Sequence, residues 1–82
     1  MKLRERIGLN LQKLRRMRNL SQEELALLAG IDRGYVGKVE NALYSISADK
    51  LEQLALALDV DPAEFLCPIT PSNKDNLTLL SK

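Results

Sequence analysis

Two cations and two glycines share a short segment near the middle of the 82-residue chain: Arg33, Gly34, Gly37 and Lys38. The pattern predicts a helix over residues 33–40, with Gly34, Gly37 and Lys38 facing outward and Arg33 at the N-terminal end. An arginine can donate two hydrogen bonds to guanine O6 and N7, and a lysine can bind those atoms or a phosphate. The segment therefore predicts DNA base readout by Arg33, and contact with a base or a phosphate by Lys38.

The two glycines need an explanation, because each costs roughly 1 kcal/mol of helix stability relative to alanine. We interpret Gly34 and Gly37 as a bare surface that lets the helix enter a groove deeply. The alternative is chance variation on a solvated helix.

Residues on either side of this segment predict contacts with the DNA backbone. Ser21 and Gln22 start the preceding helix, where free N–H groups and the helix dipole favour a phosphate, and the Gln22 amide can bind the same phosphate. Tyr35 flanks the outward face, and we keep two roles for it: a DNA contact, or packing against the preceding helix. Asn41, just past the helix end, adds a predicted phosphate contact.

An acidic residue in a DNA-binding helix would be repelled by phosphate unless it is turned inward and neutralised. Glu40 lies near the inward side of the 33–40 segment, and Arg15 is the partner that we expect for it. Such a pair fixes geometry more than it adds stability, because desolvation offsets much of the attraction.

The elements that position these residues begin with two helices. The first is predicted over residues 3–18, with Asn19 as its stop, since Asn tolerates a left-handed backbone. Ser21 caps the second helix, Glu24 completes a capping box three residues later, and Gly30 ends it.

Three further helices complete the prediction. Asp32 caps the third, Ser47 caps the fourth after a polar loop over 41–46, and the fifth starts at Asp61 and Pro62. No alternating pattern indicates a strand. The sequence thus predicts an all-α domain of five helices, and the short joint at Gly30 makes the second and third a helix-turn-helix.

Charge and composition favour a polyanion partner over catalysis. Residues 1–41 hold nine basic and five acidic side chains, a balance of +4, whereas residues 42–82 have a balance of −3. A basic half suits a polyanion partner. The alternative is that these Arg and Lys side chains only form a solvated face of the first helix. Without histidine and with Cys67 alone, the sequence gives no support for a disulfide, a metal, a cofactor or an enzyme.

The same sequence predicts a cytoplasmic protein with a short C-terminal tail. The charged N-terminus does not resemble a signal peptide, and no segment approaches a membrane span. We assign residues 1–67 to the DNA-binding domain. Residues 68–82 are rich in Pro, Ser and Asn and are expected to be an irregular tail, whose leucines either pack onto a partner or remain loose.

Together these stretches give the chain a family resemblance. Residues 3–66 resemble the phage-repressor and Cro-type (XRE) helix-turn-helix family, and the stretches that carry the likeness are LSQEELA at 20–26, IDRGYV at 31–36, VEN at 39–41 and LEQLALALDV at 51–60. The resemblance implies a five-helix lambda-repressor-like domain that binds a palindromic operator as a homodimer. Residues 32–37 are further similar to controller proteins of restriction–modification systems.

What the family implies about individual residues agrees with the chemistry above. The resemblance implies base contacts from Arg33, Gly34 and Lys38, a phosphate contact from Gln22, and a structural pair of Arg15 with Glu40. We expect the dimer surface on the C-terminal side, at Leu56, Val60, Phe65 and Leu66. A protein-interaction module that has lost DNA binding, such as an antitoxin-like partner-binding protein, is the alternative function.

One position departs from the family pattern. The family usually has glycine after the Glu-Asn pair that ends the recognition helix, and this chain has Ala42. Either Asn41 takes the left-handed conformation, or Ala42 does so at a cost of about 1 kcal/mol or more.

Overall fold

A computed structural model describes residues 1–69 of the chain. It contains four α-helices, α1 (Leu3–Met17), α2 (Gln22–Ala29), α3 (Arg33–Glu40) and α4 (Ala48–Leu58), followed by a 3-10 helix over Pro62–Leu66. Residues 1–69 contain no strand, as the hydrophobic pattern predicted. Of the expected tail, 70–82 lie outside the described residues, so the domain limits at 67 and 68 stay a prediction.

The start and the end of α2 follow the local sequence signals. The Glu24 backbone N–H donates to Ser21 Oγ at 2.9 Å, and the Ser21 backbone N–H donates to the Glu24 carboxylate at 2.8 Å, which confirms the capping box. The pKa of the Glu24 carboxyl is lowered, first by the hydrogen bond that it accepts from the Ser21 backbone N–H and second by its hydrogen bond with the Ser21 side chain. Gly30 ends the helix with φ of +71°. Helix α3 begins immediately afterwards, because the Asp32 side chain accepts from the Gly34 N–H at 3.1 Å.

Within residues 1–69, three non-glycine residues adopt left-handed backbone conformations, and each lies at the end of a helix. Asn19 and Asp59 both have φ of +56°, so the predicted stop of α1 at Asn19 is confirmed. After α3, Ala42 has φ of +60°, whereas Asn41 has φ of −91°. The strain therefore lies on Ala42. The turn that it makes gives the last carbonyls of α3 their partners, because the N–H groups of Ala42 and Leu43 donate to Val39 O and Lys38 O.

The fifth helical segment is a 3-10 helix of five residues rather than an α-helix. It begins as predicted at Pro62, where the Asp61 side chain accepts from the Ala63 N–H at 2.8 Å. At its other end, Asn10 Nδ2 on α1 donates to Phe65 O at 2.8 Å and to Cys67 O at 2.9 Å. These bonds take the carbonyls that a longer helix would use, and they fix the segment on α1.

All five elements contribute to one aliphatic core around a single aromatic ring. Its buried members are Ile7, Leu11, Leu14, Leu25, Ala26, Val36, Val39, Leu54, Ala55, Leu58 and Phe65. Phe65 has no exposed surface. This corrects its expected place on a dimer surface: the ring fills the core of its own protomer.

Helix α1 approaches the C-terminal end of α3 very closely at Gly8. A Cβ atom at this position would lie 2.6 Å from Val39 O and 2.7 Å from Glu40 O. Only glycine therefore fits at this crossing, and the contact fixes where α3 lies on α1.

Over residues 1–69, none of the helices is both long and apolar enough to cross a membrane. The same described region contains no group of three or more His, Cys, Asp or Glu side chains that could hold a metal ion.

Candidate nucleic-acid interface

Arg15 and Glu40 form a nearly buried ion pair between α1 and α3. Arg15 Nε and Nη2 donate to the two carboxylate oxygens of Glu40 at 2.6 and 3.1 Å, and Arg15 Nη1 donates to Leu20 O at 2.7 Å. The side chains are 10% and 2% exposed. The hydrogen bonds to Glu40 raise the pKa of the Arg15 guanidinium. The pair therefore neutralises the acid of α3 on the inward side of that helix.

Gln22 joins this pair from the start of α2. Its Nε2 donates to Glu40 Oε1 at 2.9 Å, and the side chain is half-buried. One N–H of the amide is thus committed to the protein, whereas the second N–H and the carbonyl oxygen are not used by this bond. The expected phosphate contact of Gln22 would have to use the second N–H.

The two glycines of α3 have different surroundings. Gly34 is exposed, and a Cβ there would meet only Asp32 Oδ2 at 3.1 Å. Gly37 is half-buried, and a Cβ there would lie 3.2 Å from Gln22 Oε1. This corrects the expectation that Gly37 is part of the bare outward face. Its missing side chain makes room for Gln22, which lies across α3 to reach Glu40.

Arg33 is solvent-exposed at the first position of α3. Its Nη1 lies 3.1 Å from Glu23 Oε2, and the two side chains are 74% and 71% exposed. A pair so exposed contributes about 0–1 kcal/mol, so it restrains Arg33 only weakly. Arg33 is therefore accessible to an external acceptor.

Lys38 and Tyr35 belong to a small cluster of lysine and tyrosine side chains. Lys38 is exposed, and its Nζ donates to the Tyr44 hydroxyl at 3.2 Å. Tyr35 packs partly against the core, and its ring lies 5.5 Å from that of Tyr44. The Nζ of Lys50 lies 5.8 Å from the Tyr35 ring. The contacts of Tyr35 are thus with the core and with this cluster.

Ser21 and Asn41 are both exposed at helix ends. Ser21 Oγ accepts the capping bond of α2, and the Ser21 side chain also hydrogen-bonds to the Glu24 carboxylate. Asn41 caps the C-terminus of α3 through its backbone. The remaining dimer candidates lie on other elements: Leu56 on α4 is 77% exposed, Leu66 is 42% exposed, and Val60 is half-buried.

The sequence analysis did not single out three structurally important residues: Gly8 and Tyr44, which contact α3, and Asn10, which fixes the 3-10 helix on α1. The sequence does mark Asn10 as unusual, because it is a polar residue inside the apolar stripe of Ile7, Leu11 and Leu14. No local sequence pattern marks Gly8 or Tyr44, because their importance depends on partners from other elements.

The chain is similar to known helix-turn-helix proteins. A family model described as helix-turn-helix, HTH_3, matches residues 11–65. A hypothetical transcription factor from Neisseria meningitidis is 38% identical over 66 residues, which is 80% of this chain and 62% of that protein. The chain therefore spans less than two thirds of the length of this relative.

Two controller proteins are also similar. Control protein C.BamHI from Bacillus amyloliquefaciens is 36% identical over 59 residues, which is 67% of this chain and 73% of that protein. The crystal structure of the restriction-modification controller protein C.AhdI from Aeromonas hydrophila matches with a TM-score of 0.74 and 44% identity, over 76% of this chain and 94% of that chain.

Proposed function

This chain belongs to the HTH_3 helix-turn-helix family of transcriptional regulators, and from that membership we propose that it binds a palindromic DNA operator as a homodimer. Helix α3 is the recognition helix of each protomer, and it lies in the major groove. Two such helices would enter successive major grooves, about 34 Å apart.

In this proposal, Arg33, Gly34 and Lys38 contact base edges. The N-terminal residues of the second helix of a helix-turn-helix meet the bases, and Arg33 and Gly34 occupy that position in α3. The exposure of Arg33 and Lys38 supports this role, as does the bare surface at Gly34. Arg33 is the residue that we expect to read guanine.

The proposed backbone contacts come from Ser21, Gln22, Tyr35 and Asn41. Ser21 and Gln22 stand at the positive end of the α2 dipole, which favours a phosphate. Tyr35 lies on α3 and Asn41 directly follows it, and their polar groups are suited to phosphates of the adjacent DNA strand. These contacts position the protein without selecting a sequence.

The proposed dimer surface consists of Leu56, Val60 and Leu66, without Phe65. Large exposed apolar side chains at Leu56 and Leu66 support it, since burying them would be favourable. These residues belong to elements other than α3. A dimer built through them leaves Arg33 and Lys38 free to meet DNA.

The distribution of charge on α3 is the observation that carries the proposal. The helix turns its two cations, Arg33 and Lys38, to solvent, whereas its one acid, Glu40, is buried and paired with Arg15. The cations of this helix are suited to phosphate and to base acceptors. The exposed carboxylates near them belong to Glu23, 3.1 Å from Arg33, and to Asp32, which caps the helix.

Two measurements test the proposal. Titration of a labelled random-sequence duplex at several salt concentrations tests DNA binding, and light scattering of the free protein tests the dimer. We expect log K to fall linearly with log salt, because neutralised phosphates release counterions. On the duplex that the wild type selects from a random pool, the double variant Arg33→Ala/Lys38→Ala should weaken binding more than the double variant Lys13→Ala/Arg16→Ala, which removes two cations from α1. Failure to bind DNA at low salt contradicts the proposal, and a mass of one chain at micromolar concentration contradicts its dimer.

A further inference from the structure

The ammonium group of Lys38 is held by Tyr44 in two ways. Its Nζ donates a hydrogen bond to the Tyr44 hydroxyl at 3.2 Å, and it lies 5.2 Å from the centroid of the same ring. An ammonium within about 6 Å of an aromatic ring is attracted by the ring quadrupole. Tyr44 therefore restrains the long, flexible cation in the last turn of the recognition helix.

Tyr44 is in turn fixed from the other side. Its ring contacts that of Tyr35 at 5.5 Å with a tilt of 43°, and Lys50 of α4 lies 5.8 Å from the Tyr35 ring. A continuous row of side chains thus joins α4 to α3, in the order Lys50, Tyr35, Tyr44, Lys38.

The backbone of the loop brings Tyr44 to this place. Ala42 takes its left-handed conformation, and the Leu43 N–H donates to Lys38 O at 2.8 Å. The chain therefore folds back over the last turn of α3, on the residue that Tyr44 contacts. Tyr44 remains 41% exposed, and Lys38 is exposed as well, so a ligand can reach both.

Holding the lysine side chain in place favours its contact with a base. A free lysine loses rotamer entropy when it is immobilised, and its ammonium is a point charge whose direction is set only loosely by the flexible side chain. An ammonium has three N–H donors, so one bond to Tyr44 leaves two for acceptors on a base.

We propose that Tyr44 is a specificity-determining positioning residue, whose hydroxyl and ring hold the Lys38 ammonium for contact with a base edge. The inference rests on the proposed function, because it requires Lys38 to read a base. Tyr44 acts through Lys38 and has no separate contact that selects sequence.

A double-mutant cycle with Tyr44→Phe and Lys38→Ala tests the inference. Affinities are measured for the duplex that the wild type selects from a random pool and for a random-sequence duplex. Lys38→Ala should reduce the preference for the selected duplex about tenfold, in the range of one specific base contact. Tyr44→Phe, which removes only the hydroxyl, should reduce it about three- to tenfold and leave the random duplex within about twofold.

The double variant gives the decisive result. If Tyr44 acts through Lys38, Tyr44→Phe has no further effect on sequence preference once Lys38 is alanine. Losses that add in the double variant overturn the inference, and so does a Tyr44→Phe loss that is equal on both duplexes. Thermal unfolding of Tyr44→Phe separates out a purely structural role, because a fold defect would lower the midpoint without changing which duplex is preferred.

Different results would contradict the proposed function and the role of Tyr44. A wild-type protein that selects no sequence overturns the proposed function and, with it, this inference. A clear effect of Lys38→Ala beside a silent Tyr44→Phe overturns only the role of Tyr44, and leaves DNA readout by α3 in place.

Discussion

The guanidinium of Arg15 donates to both carboxylate oxygens of Glu40, at 2.6 and 3.1 Å, and so joins the last turn of α1 to the last residue of α3. Gln22 adds a bond from α2 to Glu40 Oε1. One buried carboxylate thus holds three helices in register. Its charge is neutralised away from the face that carries Arg33 and Lys38.

Removal of Arg15 should be costly, because it leaves the Glu40 carboxylate buried without its cation. We expect Arg15→Ala to lower the free energy of unfolding by about 3–5 kcal/mol, measured by urea denaturation. Arg16→Ala is the matched control on the exposed side of the same helix and should change it by no more than about 0.5 kcal/mol. Equal effects of the two variants would contradict the structural role of the pair.

A side chain at Gly8 should separate α1 from α3. Because a Cβ would lie 2.6 and 2.7 Å from two backbone carbonyl oxygens, Gly8→Ala forces the helices apart. We expect a net destabilisation of about 1–3 kcal/mol in urea, although alanine is the better helix former. A variant as stable as the wild type would show that the crossing is looser than described.

A side chain at Gly37 should disturb DNA binding rather than folding. The Cβ would press on Gln22 Oε1, the end of a flexible side chain that can move away. We expect Gly37→Ala to keep or raise the unfolding midpoint, because alanine favours the helix. Affinity for specific and random duplexes should fall alike, by about two- to tenfold. We expect the same result for Gln22→Ala, which removes the proposed phosphate contact. Unchanged affinity for random DNA would contradict the role of Gly37.

Glycine at position 42 should stabilise the protein. Ala42 has φ of +60°, which costs a non-glycine residue roughly 1–2 kcal/mol. We expect Ala42→Gly to raise the free energy of unfolding by about 1 kcal/mol. The same substitution in a helix, Ala48→Gly, should lower it, by up to about 1 kcal/mol. If both changes destabilise the protein, Ala42 is not strained.

The sequence was most informative where structure depends on neighbours in the chain. The starts of α2 and α3 are set by Ser21, Glu24 and Asp32, which hydrogen-bond to backbone groups within three residues. Short-range signals of this kind are legible from residue type and spacing alone. The all-helical class and the helix-turn-helix joint at Gly30 follow from them.

Long-range contacts explain what the sequence did not reveal. The last segment is a 3-10 helix held by Asn10, 55 positions before Phe65. Phe65 itself faces the core rather than a partner, which no local pattern distinguishes. Gly37 is paired with Gln22 across two helices, and the contact of Tyr44 with Lys38 depends on the turn at Ala42. Each of these features depends on the packing of the elements.

Selection of duplexes from a random pool, carried out in parallel with the wild type and with Arg33→Ala, tests the central claim most directly. We expect the wild type to enrich two inverted half-sites about one helical turn apart, each with a fixed guanine. Arg33→Ala should lose the preference at that base pair, at a cost of roughly 1–3 kcal/mol, and keep the others. No enriched sequence for the wild type, or an identical motif for Arg33→Ala, would contradict readout of DNA by α3 through Arg33.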